Sequence, residues 1–358
     1  MILLKQYTSI DANSKTKADI FCKITYRFSL LCVFQYSDTN RVYVRAYDTC
    51  NKNLHEFLIS EIVYSFNPGI RLYVAYKGSP LNQILMKKLF IILALSCSSK
   101  LYAQKTYQLS KIWETDSLAV PESVTPVGDG RQMFVSLIDG TPFDVDGKGG
   151  IARITTDGKI VNPMWVGGLN APKGIAVMQN KLYVADLTEV VVIDIPSGKI
   201  DVKIRIPEAE GLNDVTVDSK NTVYVSDSKN GIIFSIKNNV ATPYITSLKG
   251  SNGLKAVGTD LYIGAGPVLW KADAKRKLTK IAEGFESSVD GLQLINKEEF
   301  LITCWNGLVY SVHSNGKFNK LMDTRGVMNT ADIHYDPKKK IVYLPTFFKK
   351  SVIAYKLH

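Results

Sequence analysis

Residues 172–186, PKGIAVMQNKLYVAD, hold the pattern that decides the fold. A polar residue (Lys173) and a small one (Gly174) open a short apolar run, Gln179-Asn180 turn the chain, and the alternating segment KLYVAD follows. The plan returns as LNDVTVDSKNTVYVSD at 212–227, SNGLKAVGTDLYIGA at 251–265 and VDGLQLINKEEFLITC at 289–304. It extends back to PESVTPV at 121–127 and forward to TADIHYD at 330–336. Glu122, Lys173, Asn213, Asn252, Asp290 and Ala331 therefore share one phase, in steps of 51, 40, 39, 38 and 41 residues.

Each repeat carries a further alternating segment (VVVIDI, IIFSIK, VLWKAD, LVYSVH and VIAYKL), rich in β-branched and aromatic residues. Period-2 alternation with such residues marks strands. Several strands in a unit of about forty residues mark propeller blades. The chain is thus expected to be all-β, a six-bladed β-propeller over residues 104–358, with no helix. The sixth blade has only three strands before His358, and TYQLSKIWE (106–114) is expected to supply its outer strand. Such a closure pairs the chain ends and removes an open sheet edge. Blade one is lengthened by DGTPFDVDGKG (139–149), expected over one channel mouth. Its Asp144-Val145-Asp146-Gly147 fragment lacks the spacing and distal Glu of a calcium loop and reads as a polar turn.

The formal charge of +11 over 358 residues is unevenly spread. Residues 1–103 carry 13 Lys/Arg against 6 Asp/Glu, and residues 104–358 carry 31 against 27. The repeats lack the basic stripe that nucleic acid requires, so no nucleic-acid partner is expected. Cys304 is the one cysteine after residue 104, which excludes a disulfide within the repeats. From Met86 the chain reads MKKLFIILALSCSSKLYAQ: two lysines, a short apolar run and a small-residue end at Ala103. That is a secretory signal, and it is too short to span a bilayer. Translation is therefore expected to start at Met86, with residues 1–85 a non-native upstream extension, 86–103 the signal peptide and Gln104 the mature N-terminus. The alternative for 1–85 is a small extra domain. The product is expected in the periplasm or secreted; a cut before Cys97 would instead give a lipoprotein.

In a propeller, equivalent residues of successive blades surround one channel. Glu122, Asn213, Asn252 and Asp290 are hard oxygen donors, suited to one divalent ion, with Ca²⁺ first and Mg²⁺, Mn²⁺ or Zn²⁺ after it. The alternative is that each caps the start of its own strand. Lys173 adds an ammonium for a substrate, or an ion pair with Glu122 or Asp290. Asp332 and Trp305 are further substrate-binding candidates. His334 reads as a strand histidine rather than a base.

These motifs, taken in order, resemble the senescence-marker-protein/gluconolactonase/luciferin-regenerating-enzyme family of six-bladed propellers over residues 112–358, and most closely its exported bacterial branch. The resemblance implies that Glu122, Asn252 and Asp290 bind one divalent metal, with Asn213 beside metal and substrate. It also implies a small-molecule lactone or ester hydrolase; on the ring itself, the metal would polarise the carbonyl and Asp290, or a metal-bound water oriented by it, would deliver the nucleophile. Two departures stand out. Ser123-Val124 follows the Glu where the family has Gly-Pro, and Gly211 stands where many members carry an Arg that grips a sugar.

No Gly-x4-Gly-Lys-Ser/Thr run and no Gly-x-Ser-x-Gly elbow occur, and only three histidines follow residue 104. P-loop, serine-hydrolase and zinc-protease chemistries are thereby unsupported. The rival is a non-catalytic propeller of the NHL type that binds a ligand or a protein partner. A monomer without a transmembrane span is expected in either case.

Overall fold

The computed structural model describes residues 107–358 and, by backbone alone, five strands upstream (Leu3–Thr8, Asp19–Tyr26, Phe28–Ser37, Arg41–Asp48 and Glu56–Val63). The chain divides into two units, Met1–Gln104 and Lys105–His358. In the first, the five strands pair in sequence order as an antiparallel meander. The signal segment 86–103 lies outside the described residues.

The second unit is six four-stranded antiparallel sheets. Their innermost strands are Pro121–Val127, Pro172–Met178, Leu212–Val217, Ser251–Val257, Val289–Asn296 and His334–Asp336. Five blades are built from consecutive strands. The sixth takes Leu109–Thr115 as its outermost strand, paired antiparallel with Val352–Leu357 from Val352↔Thr115 to Leu357↔Leu109. The expected closure is thus present, and it makes the ring continuous. Side chains reinforce it: Glu114 accepts hydrogen bonds from Lys349 Nζ (2.6 Å) and Ser351 Oγ (2.8 Å). Burial works to raise the Glu114 carboxyl, but the hydrogen bonds from Lys111, Lys349 and Ser351 bring it down to about 2. Trp113 packs on Tyr343 and donates from Nε1 to the Thr156 carbonyl. Among the described residues the sole helical piece is a 3-10 turn, Phe347–Lys349, and no helix is long and apolar enough to cross a membrane.

The core is a set of six apolar layers, one between each pair of neighbouring blades. Strand alternation feeds them from both sides. In Lys181–Asp186, Leu182 and Val184 pack toward blade one while Tyr183 and Ala185 pack toward blade three. In Glu299–Cys304, Phe300 and Ile302 face blade four while Leu301 faces blade six. Tyr343, Val352 and Ala354 meet Val124, Met133 and Val135 to close the last layer between blades six and one. Most residues of the middle strands are buried, as in Lys181–Asp186 and Leu308–His313, because each such strand feeds a layer on either side.

One irregularity recurs. In each of the first five blades the innermost strand inserts two residues opposite one of its neighbour. The register runs Pro121↔Leu137 then Val124↔Val135, and Pro172↔Asp186 then Ile175↔Val184. It runs Leu212↔Asp227 then Val215↔Val225, Ser251↔Ala265 then Leu254↔Ile263, and Val289↔Cys304 then Leu292↔Ile302. Such bulges re-aim side chains. The bulged pairs are Glu122-Ser123, Lys173-Gly174, Asn213-Asp214, Asn252-Gly253 and Asp290-Gly291. In three blades the second bulged N–H is taken by a hydroxyl on the neighbouring strand: Ser123 by Ser136, Asp214 by Ser226 and Gly291 by Thr303. The glycines answer a different need. A Cβ on Gly253 would lie 2.0 Å from the Asp290 carbonyl oxygen, and one on Gly174 2.5 Å from the Asp214 Cα.

Two outcomes check this account. Deleting residues 104–114 should lower the melting temperature by about 10 °C or more, because a several-kcal/mol loss in a domain of this size shifts it by that order; an unchanged value would count against closure. Gly253→Ala should destabilise by about 1–3 kcal/mol through overpacking against Asp290, measured by urea unfolding, instead of the gain an unstrained Gly→Ala exchange gives.

Candidate functional site

Both residues of most bulges end up buried near the channel axis, where a regular strand would send one of them away. Glu122, Lys173, Asp214, Asp290 and Asp332 are all buried, each at most 7% exposed. Four carboxyls and one ammonium at such exposure form a site. Val120, two residues ahead of Glu122, holds a left-handed φ of 54°, costly for a β-branched residue. Its carbonyl and that of Ala119 accept from Ile138 and Asp139, which anchors the entry of this strand.

Glu122 and Asp290 face each other electrostatically, and Asp332 and Asp214 also act on Glu122. Asp290 Oδ1 accepts from Asn252 Nδ2 at 2.7 Å. Asp290 Oδ2 and Glu122 Oε2 are buried with no hydrogen-bond partner. Asp332 Oδ2 accepts from Ser123 Oγ at 2.5 Å, and its backbone N–H donates to the Glu122 carbonyl at 3.0 Å, so blade six is tied to blade one at this level. Asp214 Oδ2 accepts from Leu254 N–H at 2.6 Å, tying blade three to blade four.

Burial dominates the electrostatics, since charged forms lose their hydration there. It pushes Asp290 up to about 7, helped by the Asp332 charge and opposed by the Asn252 hydrogen bond. It pushes Asp332 up to about 6 against the Ser123 hydrogen bond and the Lys255 charge. Glu122 and Asp214 are raised well above the ordinary carboxylate range for the same first reason. Lys173 is lowered by burial, with Glu122 and Asp186 working the other way.

Among the described residues Lys173 forms no close ion pair; its Nζ donates to the Ala171 carbonyl at 3.2 Å and lies 5.2 Å from the Phe143 ring centre. Phe143 belongs to the 139–149 loop of blade one. Lys229 of blade three reaches the same ring at 4.4 Å, so the loop crosses part of the mouth between two ammoniums. The Asp144/Asp146 fragment within it is a polar turn: Asp146 is spent on the Lys148 backbone and side chain. Trp305 stands at the mouth, exposed, with its ring edge-on to Phe347 and Phe348. Ala331, the sixth residue of the phase, joins an apolar cluster with Val120, Ala171 and Phe347.

Of the residues singled out from the sequence, Glu122, Lys173, Asn252, Asp290 and Asp332 come together. Asn213 is half-buried, and its neighbour Asp214 takes the deeper place. His334 stacks on Tyr343, and burial with the nearby Lys255 charge brings it down to about 4, which keeps it neutral. Asp214, Ser123, Lys229 and Lys255 were not singled out. The signal for Asp214 and Ser123 was their place beside a ring residue, which only the bulge turns into a shared location. Among the described residues no three His, Cys, Asp or Glu side chains converge as a metal site.

No family model and no curated protein matches the chain. Among solved structures it is similar to a catalytically inactive virginiamycin B lyase from Staphylococcus aureus with quinupristin, at 12% identity and a TM-score of 0.50, over 99% of either chain. A selenomethionine-substituted virginiamycin B lyase from the same organism gives 13% and 0.49 over the same share. At 12% identity the first likeness is one of fold: it supports the propeller and leaves the gluconolactonase-type family a resemblance of motifs.

The raised carboxyls set a sign for stability. Folded Asp332 and Asp290 keep protons that the unfolded chain has released, so their contribution is full below the ordinary value of 3.8 and is lost from there up to about 6 for Asp332 and about 7 for Asp290. In chelator, the melting temperature should fall across that window, and Asp290→Asn should flatten the fall. A flat wild-type profile would refute the burial of ionisable carboxyls.

Proposed function

We propose that the chain is an exported, hydrolase-like propeller that cleaves a small lactone or carboxylic ester beside a divalent cation held in its channel. The observation that carries this reading is the pair of unpartnered buried oxygens, Glu122 Oε2 and Asp290 Oδ2. A buried anionic oxygen without a partner is costly, and a cation between two of them removes that cost. Glu122 and Asp290 would hold it, with amide oxygens from Asn252 and Asn213. All are hard donors, which suits Ca²⁺, Mg²⁺ or Mn²⁺ better than softer ions; Ca²⁺ is our first candidate and Zn²⁺ the last. When bound, such an ion supplies Lewis acidity toward a carbonyl oxygen.

The remaining work falls to side chains. Asp290, oriented through Oδ1 by Asn252 and made more basic by the Asp332 charge, accepts the proton of an attacking water. Lys173 and Lys229 attract an anionic group at the mouth. Lys229 also covers the position where the resembling family places its Arg: a Cβ on Gly211 would lie 2.9 Å from the Lys229 Cγ. Trp305 and Phe348 offer an apolar surface to the rest of the substrate. Export follows from the segment that begins at Met86, with the Cys97 lipoprotein as its variant.

Metal analysis of the purified protein, followed by titration of Ca²⁺, is the deciding experiment. Glu122→Gln and Asp290→Asn should each weaken cation binding by about tenfold or more, since carboxylate count sets affinity. Asp290→Asn should abolish hydrolysis of lactones and aryl esters. Lys173→Ala should raise KM for anionic substrates with little change in kcat. A protein that takes up no divalent cation and hydrolyses no lactone or aryl ester with Ca²⁺, Mg²⁺, Mn²⁺ or Zn²⁺ present is instead a ligand-binding propeller.

A further inference from the structure

The half of the channel beyond the ring holds a cavity of about 270 Å³. That is room for about nine water molecules at about 30 Å³ each. Its walls are of two kinds. Ile175, Val177, Val217 and Leu254 make an apolar side, while Lys255, Gln293 and Asp332 bring charge and hydrogen bonds to the other. None of the apolar four belongs to the ring, and Lys255 has no part in the reaction proposed above.

The polar side is incompletely satisfied in one direction only. Lys255 Nζ donates to Gln293 Oε1 at 2.7 Å, its single hydrogen bond, although an ammonium has three N–H donors. Thr216 Oγ1 is occupied by the Ala256 N–H at 3.2 Å. Both Asp214 oxygens are taken by backbone N–H groups, from Val215 and Leu254, at 2.6 Å each. His334 is neutral and stacked on Tyr343. What remains facing the cavity is one ammonium with spare donors and one carboxylate, Asp332, which Ser123 Oγ and the Ile333 backbone N–H hold in place. Burial lowers Lys255, and the Asp332 charge, with a smaller share from Asp214, works the other way; Asp332 is also felt by Asp290 and Glu122 at the ring.

A lone anion placed here would meet Lys255 but also Asp332, and a lone cation the reverse. A neutral apolar molecule would strand both. We propose that this cavity is a second binding site, for a small apolar α-amino acid in its zwitterionic form. The carboxylate accepts from Lys255, the ammonium donates to Asp332, and the side chain packs on Val177 and Val217. Both charges of the ligand are then answered, and its volume stays within the cavity. The assignment does not depend on hydrolysis at the ring.

Calorimetric titration of the purified protein with leucine, 4-methylpentanoate and 3-methylbutylamine tests it, since the last two each keep the leucine carbon frame and one charge. Leucine should bind saturably, and each singly charged analogue about tenfold or more weaker, as the loss of one charge-assisted hydrogen bond implies. Lys255→Met should weaken leucine binding by at least the same factor. Gln293→Glu is the second variant, chosen because it keeps the shape and the hydrogen bond to Lys255 while setting a negative charge where the ligand carboxylate lies; it too should lose binding, and it decides the matter if Lys255→Met does not fold. Absence of saturable leucine binding, equal affinity for 4-methylpentanoate, or wild-type affinity in folded Gln293→Glu would each overturn the proposal.

Discussion

Two residues set against one, at the same level of successive innermost strands, is the constraint on which the rest of this structure depends. A regular strand would place Glu122 and Ser123, or Asn213 and Asp214, on opposite faces, one in each adjoining apolar layer. A carboxylate in such a layer would be stranded among Val and Ile side chains. The bulge bends the strand so that both residues approach the axis. Glycine at the second place lets the next blade close in: Gly253 lies against the Asp290 carbonyl, and Gly291 against Asp332. Where the second residue is not glycine it becomes a tie between blades, as Ser123 does to Asp332 and Asp214 to Leu254.

Rigid support comes from the layers outside. Each blade contributes side chains to both neighbours, and the strand Leu109–Thr115 completes the last blade so that no layer has a free edge. A site made from six separate strands is only as well defined as the ring that holds them. Phe143 is different in kind. It sits on a loop, exposed, held between Lys173 and Lys229 by contacts of the cation–π type, worth about 0.5–1 kcal/mol at exposed sites. The floor of the channel is therefore fixed by packing while the mouth is held by weak contacts, a division suited to admitting a ligand.

The fold was legible because its signals are local and repeated. Alternation in KLYVAD and TVYVSD marks strands, the forty-residue step marks blades, and the missing fourth strand of blade six pointed to 106–114. The ring was legible as a phase, which is why Glu122, Lys173, Asn252 and Asp290 were found. Asp214 and Lys255 were not, for physical reasons. Asp214 adjoins Asn213, and strict period-2 reasoning assigns neighbours to opposite faces. Lys255, three residues beyond Asn252, lies in an apolar strand where a lysine reads as a solvated edge; only closure of the ring turns that edge inward. Asn213 shows the converse, a residue in the right phase whose deeper place is taken by the next one along.

Charge links the two halves of the channel. Asp332 is felt by Glu122 and Asp290 on one side and by Lys255 on the other. Without a cation, burial holds protons on the carboxyls near the ring, and Lys255 keeps Asp332 as its counter-charge. Asp332 therefore belongs to both halves at once: its backbone N–H is spent on the Glu122 carbonyl and its Oδ2 on Ser123, while Lys255 faces it across the cavity. A change at that one residue is felt on both sides, because blade six holds it between them.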